Sequence, residues 1–366
     1  MKKVVTIAGT RPEWIKLSAL IHILDKEFNH ILVHTGQHYS YNMDRIFFEE
    51  LKLREPNYCL EVGSGTQAEQ VGKGMIEFEK ILLKEKPDLV IVFADTNAPL
   101  TGAIVAAKLH ILVAHIEAGC RSFNKKMPEE INRIIADHCS DFNFPPDKVA
   151  YKNLIKEGID KNKIFLIGRT VYDTCLRTKE LALKSNILEK LNLNKNNYIL
   201  LTIHRAENTN NLDVLRVLIY AVNSVSTQIK IVFPIHPRTK KILEENHLVL
   251  NENVLITEPL GYLDFTNLLI NSRYVMSDSG SIQEEAVIYN VPCLILRNET
   301  EWIEFVEKGK NILCTTKSDA IITINNELLN NKLKLEQMRK IKIKHKNEVC
   351  KKIVDILKNE LEKNNL

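Results

Sequence analysis

The sequence predicts an α/β protein built of two doubly wound domains that face a central cleft. Short, nearly all-apolar runs alternate with longer stretches of helical period, as strands covered on both faces require. The alternation stops over a polar, charged stretch at residues 173–196 and then restarts. A chain of 366 residues also favours two domains, at about 100 to 200 residues for each.

In the first half the expected strands are KKVVTIAG, HILVHTG, DLVIVFAD, ILVAHIEAG and KIFLIG, the last at residues 163–168. Between them EWIKLSALIHILDKEF, TQAEQVGKGMIEFEKILLKE, NAPLTGAIVAAKL and PEEINRIIADHCS carry helical period. Strands alternating with helices imply right-handed βαβ units and a parallel sheet. The second half repeats the rhythm with NYILLTIHR, KIVFPIHP, VLITEPL, RYVMSDSG and PCLILRN. The expected domains are therefore 1–175 and 190–340. The lysine-rich tail, 341–366, has Ile, Val and Leu at helical spacing and reads as a solvated amphipathic helix.

Composition narrows the function. Charged residues make up 26% and hydrophobic ones 45%, a soluble globular mix. The formal charge of +4 suits an anionic small ligand and does not call for nucleic acid. Seven cysteines lie scattered without a CxxC pair or zinc spacing. Cys120 and Cys293 are expected as small core residues in a reducing compartment. There is no signal-peptide pattern and no run of about 18 apolar residues, so a cytoplasmic protein without membrane contact is expected.

Chemistry-bearing residues gather where the strands end. They are Thr10-Arg11-Pro12-Glu13, Gly36-Gln37-His38, Asp95-Thr96-Asn97, Glu117-Ala118-Gly119, His204-Arg205, His236-Pro237-Arg238 and Ser277-Asp278-Ser279-Gly280. In open α/β sheets that rim is where ligands bind. Any one of these residues could be a cap or a turn; together they point to a catalytic cleft. In SDSGSIQEEA, Ser279, Gly280 and Ser281 close a strand and open a helix, so backbone N–H groups could hold a nucleotide diphosphate. Glu285 could then reach the ribose hydroxyls. A simple capping box would fit the same stretch. Arg11 suits a diphosphate, while Lys16 could do the same or sit on a solvated helix face. His204 and Arg205 offer an imidazole and a guanidinium from the second domain. No GxGxxG follows the first strand and no GxxxxGK[ST] occurs, which argues against a nicotinamide or flavin cofactor and against a P-loop.

Asp95, Glu117 and Glu129 supply carboxylates from successive strand ends. Clustered acids push each other's pKa apart, as proton transfer on and off carbon requires. The paired acids Glu129-Glu130 open a helix, where capping would explain them. The expectation here is that the helix start is acidic because it brings a second acid to Glu117.

Assembled in order, GTRPEWIKL, HTGQHY, ADTN, HIEAGCRS, MPEEINR, TIHRAEN, FPIHPRT and SDSGSIQEEA give the chain a resemblance to the non-hydrolysing UDP-N-acetylglucosamine 2-epimerases over nearly its whole length. The resemblance implies two Rossmann-like domains in the glycosyltransferase-B arrangement, a homodimer, no cofactor and no metal. It also implies a C-terminal helix that packs back on the N-terminal domain. The implied reaction interconverts UDP-N-acetylglucosamine and UDP-N-acetylmannosamine through loss and re-addition of UDP by way of 2-acetamidoglucal. Asp95, Glu117, Glu129 and His204 would be the catalytic set. Arg11, Lys16, Arg205, His236, Ser279, Gly280, Ser281 and Glu285 would bind the UDP-sugar. Gln37 and His38, with Arg205 and His236, match part of a regulatory site for a second UDP-sugar. The chain departs from the pattern at Ala94, Arg169, Ser281 and Ser40, and Trp302 stands at an arginine position. Competing readings are a hydrolysing epimerase, a 2-epimerase of a UDP-diacetamido-uronic acid, a UDP-sugar glycosyltransferase and a non-enzymatic sensor.

Overall fold

The computed structural model describes residues 1–36, 41–343 and 348–363. The chain divides into two compact units, Met1–Arg177 with His345–Leu366, and Thr178–Lys344.

In the first unit β1 (Lys3–Ala8), β2 (Asn29–His34), β3 (Tyr58–Cys59), β4 (Leu89–Phe93), β5 (Leu112–Ile116) and β6 (Phe142–Phe144) form one sheet in the order β3-β2-β1-β4-β5-β6. All neighbours are parallel. Winding reverses between β1 and β4, so a crevice opens beside their carboxyl ends. The helices Arg11–Glu27, Gln67–Glu85, Asn97–Lys108 and Pro128–Cys139 follow β1, β3, β4 and β5. Val5, Ile7, Val33, Val90 and Val92 from the strands meet Phe78, Ala98 and Ala103 from the helices in one core. Burying each large aliphatic side chain contributes roughly 1.5 to 3 kcal/mol. Gly102 lets the Asn97–Lys108 helix lie directly on the sheet. A Cβ there would stand 2.6 Å from Ile7 Cγ2 and 2.7 Å from Val92 Cγ1. That contact fixes the loop at Asp95.

The expected strand at 163–168 does not form. Lys161–Lys163 is a 3₁₀ turn, and only Ile164 bridges to Asn143 of the three-residue β6. Such a short partner gives the segment nothing longer to pair with. The helix Val349–Lys363 buries Val349, Cys350, Ile353, Val354, Leu357 and Leu361 and packs on Arg11–Glu27. Lys358 reaches Glu27 at 2.6 Å, and Cys350 N–H donates to Asp173 at 2.8 Å.

The second unit repeats the topology. β7 (Tyr198–Thr202), β8 (Lys230–Pro234), β9 (Val254–Thr257), β10 (Tyr274–Ser277), β11 (Cys293–Ile295) and β12 (Asn311–Leu313) lie in the order β12-β11-β10-β7-β8-β9, again all parallel. Here the reversal falls between β7 and β10. Ile199, Leu201, Phe233, Met276 and Leu294 pack against Leu215, Val222 and Leu328.

The seven cysteines are free thiols. Cys293 is buried, but Cys120 is partly exposed, because it follows the turn after β5 instead of lying in the strand. No helix among the described residues is long and apolar enough to cross a membrane.

Candidate active site

At the first reversal point, Glu13 ties two strand-end loops together. Its Oε2 accepts from Gly9 N–H at 2.9 Å, Thr10 N–H at 2.7 Å and Thr10 Oγ1 at 2.9 Å; its Oε1 accepts from Thr96 Oγ1 at 2.7 Å. Burial pushes this carboxyl up to about 7, against the hydrogen bonds from Gly9, Thr96 and Thr10 that hold it down. Glu13 thereby ties Thr96, the residue after Asp95, to the start of the Arg11–Glu27 helix.

Asp95 accepts from Arg133 Nε at 2.9 Å and from the same guanidinium's NH2 at 2.5 Å. Both bonds fall on Oδ2, and among the described residues Oδ1 has no donor. Arg133 also donates to Glu130 at 2.8 Å. Glu130 is the buried member of the acid pair, 1% exposed, and it accepts further bonds from Ser122 N–H and Phe123 N–H at 2.9 and 2.8 Å. Burial pushes its carboxyl up, but Ser122 N–H, Arg133 and Phe123 N–H outweigh it and hold it below the usual range. Glu129 is partly exposed at the second position of the Pro128–Cys139 helix. At this acidic helix start Glu130 closes the 122–123 turn, and Glu129 is half-buried beside it.

Glu117 follows β5 and is held by Lys16 Nζ at 2.9 and 3.1 Å, with both side chains 9% exposed. Lys16 is thus not on a solvated face. Of the three expected acids, Asp95 and Glu117 are each matched to a cation, Arg133 and Lys16. Such pairs stand only where geometry and extra hydrogen bonds offset desolvation. Two residues here have left-handed backbone, Ala94 at φ +60° and Glu117 at φ +66°. Ala94 N–H donates to Ile116 O at 3.0 Å, and His115 Nε2 lies 2.8 Å from Ala94 O. The His115 ring is in turn braced by Asp137 at 2.6 Å. Strain of this kind persists where surroundings over-determine it, and it concentrates at functional sites.

At the second reversal point, β7 delivers His204 and β10 delivers Asp278. Asp278 is fully buried and accepts from His204 N–H at 3.0 and 3.2 Å, Arg205 N–H at 2.9 Å and Asn208 Nδ2 at 3.1 Å. Its Oδ1 stands 3.2 Å from His204 Nδ1, and the imidazole is 41% exposed. Burial pushes the Asp278 carboxyl up, but the His204 contacts and backbone N–H groups hold it below its ordinary value. The carboxylate orients the ring, leaving Nε2 for chemistry.

Ser279 then caps the helix Gly280–Ile288, yet no capping box forms: its hydroxyl makes no cap bond, and the third helical residue is Ile282. Ser279 N–H donates to Ser277 Oγ at 3.0 Å. At Gly280 a Cβ would stand 2.3 Å from Glu301 Oε1, so a larger residue there would displace the Glu301 carboxylate. Ser281 follows in the first turn, and Glu285 is buried one turn further on. Arg297, 3% exposed, donates to Glu207 and Glu301 at 2.8 Å each.

Arg11 lies over the Phe47 ring, 5.2 Å from its centroid. His236 caps the helix Pro237–Glu245 through Nδ1, which accepts from Arg238 N–H at 3.2 Å. Gln37 and His38 lie outside the described residues. Glu13, Glu130, Arg133, Asp278 and Arg297 had no place in the expected catalytic and binding sets, although Glu13, Glu130 and Asp278 lie in the stretches singled out. Asp278 and Glu13 sit inside the strand-end motifs, so acids there were the available signal.

A family model described as UDP-N-acetylglucosamine 2-epimerase matches residues 23–358. The chain belongs to this family. A UDP-N-acetylglucosamine 2-epimerase of Methanocaldococcus jannaschii is 48% identical over 340 residues, covering 90% of this chain and 93% of the relative. A UDP-2,3-diacetamido-2,3-dideoxy-D-glucuronate 2-epimerase of Pseudomonas aeruginosa is 41% identical over 325 residues, covering 87% and 90%. Among solved epimerase structures, the crystal structure of the Methanocaldococcus jannaschii UDP-GlcNAc 2-epimerase with UDP-GlcNAc and UDP matches with TM-score 0.87 and 45% identity. That match covers 98% of this chain and 100% of the other.

Proposed function

We propose that the protein epimerises C2 of UDP-N-acetylglucosamine reversibly, giving UDP-N-acetylmannosamine by elimination and re-addition of UDP. The observation that carries this reading is the pair of strand-end carboxylates, Asp95 on Arg133 and Glu117 on Lys16, each oriented by its own cation. A weakly acidic C–H needs an oriented base, and its loss must be coupled to departure of a leaving group. In this mechanism Asp95 or Glu117 takes the C2 proton. The C–H electron pair becomes the C1=C2 bond of 2-acetamidoglucal, and the C1–O pair leaves with the β-phosphate of UDP. His204, oriented by Asp278, assists that departure, while Ser279, Gly280 and Ser281 receive the diphosphate and Glu285 the ribose. Re-addition delivers the proton to the opposite face of C2, where Glu129 serves, and UDP returns to C1. Arg11 and Arg205 supply further charge to the diphosphate.

A second reading is favoured by the 41% identity to the diacetamido-glucuronate epimerase: the same chemistry on a UDP-diacetamido-uronic acid. One experiment tests both. The protein is incubated in deuterated water with each sugar nucleotide, and products are read by NMR. The C2-epimer should appear with deuterium at C2. Free N-acetylmannosamine and UDP would mark a hydrolysing enzyme instead, and product without deuterium would exclude C2 proton exchange.

A further inference from the structure

We propose that Trp302 is a positioning residue for the diphosphate, acting through the first peptide of the Gly280–Ile288 helix. This rests on the reading of Ser279, Gly280 and Ser281 as the diphosphate seat. Trp302 is 7% exposed, and its indole packs in an apolar cluster with Val287, Phe305 and Ile343. Its ring stacks on Phe305 with centroids 6.1 Å apart. A buried indole N–H must find an acceptor, and here it donates to Gly280 O at 3.1 Å.

The peptide unit is planar and trans, so fixing the Gly280 carbonyl also fixes the Ser281 N–H that points the opposite way. That N–H belongs to the first helical turn, whose donors have no intrahelical partner and favour an anion. A donor bonded to a peptide's carbonyl also polarises its amide, which strengthens the bond that amide gives. The neighbours of Trp302 hold the same turn. Thr300 Oγ1 donates to Gln283 Oε1 at 2.6 Å and accepts from Trp302 N–H at 3.1 Å. The Glu301 carboxylate lies against Gly280 itself. Residues 300–302 thus clasp the helix start from the side, and the indole grips its backbone at Gly280. Tryptophan joins an apolar body, which anchors the cluster, to one directed donor.

The test compares UDP with uridine, which lacks phosphate. Trp302→Phe keeps an aromatic ring and removes the N–H. Its affinity for UDP by calorimetry should fall about three- to tenfold, the range of one lost hydrogen bond, while uridine binding stays within about twofold. In the wild-type protein labelled with ¹⁵N, the Trp302 indole N–H resonance should shift with UDP and stay in place with uridine. Unchanged UDP affinity in the variant, or equal losses for UDP and uridine, overturns the proposal while leaving UDP binding intact. Should the variant fail to fold, an indole resonance unmoved by UDP, or moved equally by uridine, overturns it. If wild-type protein binds no UDP, the functional reading falls and takes this proposal with it.

Discussion

His204 Nδ1 stands 3.2 Å from Oδ1 of Asp278, and the same carboxylate accepts the backbone N–H groups of His204 and Arg205. One buried acid therefore sets both the ring and the loop that carries it. Asp278→Asn puts an amide NH2 against these donors. Turnover should fall by roughly 10²- to 10⁴-fold, the range for losing an oriented acid–base group. The folded pKa of Asp278 is depressed, so its stabilisation is present above the unfolded value of about 4 and is lost as pH falls below it. Urea melts between neutral and acid pH should show a shallower acid decline in the variant; an equal decline would count against this role.

Arg133 serves Asp95 and the 1%-exposed Glu130 at once. Removing it in Arg133→Ala leaves a buried carboxylate without its cation, which should destabilise the unit by about 3 to 5 kcal/mol. Arg133→Lys restores charge without the planar fork. It should recover most of the stability in chemical denaturation while remaining deficient in turnover. Full recovery of both would show that Arg133 acts only as a charge.

Ala94 holds φ +60° immediately before Asp95. A left-handed backbone costs a residue bearing Cβ roughly 1 to 2 kcal/mol, which glycine escapes. Part of that gain is offset by glycine's greater freedom when unfolded. Ala94→Gly is expected to raise unfolding stability by roughly 0.5 to 1 kcal/mol. A clear loss of stability would mean that the turn is not strained.

Glu13 is raised to about 7, chiefly by burial. The folded chain then holds this proton more tightly than the unfolded chain does. Its favourable contribution is complete below about 4.5 and is lost as pH rises through 7. In Glu13→Gln the amide oxygen can take the three donors on Oε2, and Thr96 can accept from the new NH2. The variant should fold, and its stability should decline less between pH 5 and 8. Parallel stability profiles for the two proteins would dismiss a buried, titrating Glu13.

What sequence made legible follows from the range of each signal. Long apolar runs such as DLVIVFAD and NYILLTIHR foretold β4 and β7, because burial on both faces leaves its mark residue by residue. β3, β6 and β12 have two or three residues, too few for periodicity to register. Strand-end acids were visible; their partners were not. Asp278 meets His204 only because β10 lies beside β7, 74 residues away in sequence. Choosing Glu130 over Glu129 as the buried acid depends on the helix's rotation about its axis, which adjacent identical residues cannot report.

The helix Val349–Lys363, which packs on Arg11–Glu27, has a consequence for how the molecule is made. Thr178–Lys344 is one uninterrupted piece of chain and has all its parts before that helix emerges from the ribosome. The sheet of Met1–Arg177 must wait, one flank of Arg11–Glu27 uncovered, until Val349–Lys363 has been made. Vectorial synthesis therefore completes the later unit first, while the earlier one carries an uncovered apolar flank on the nascent chain.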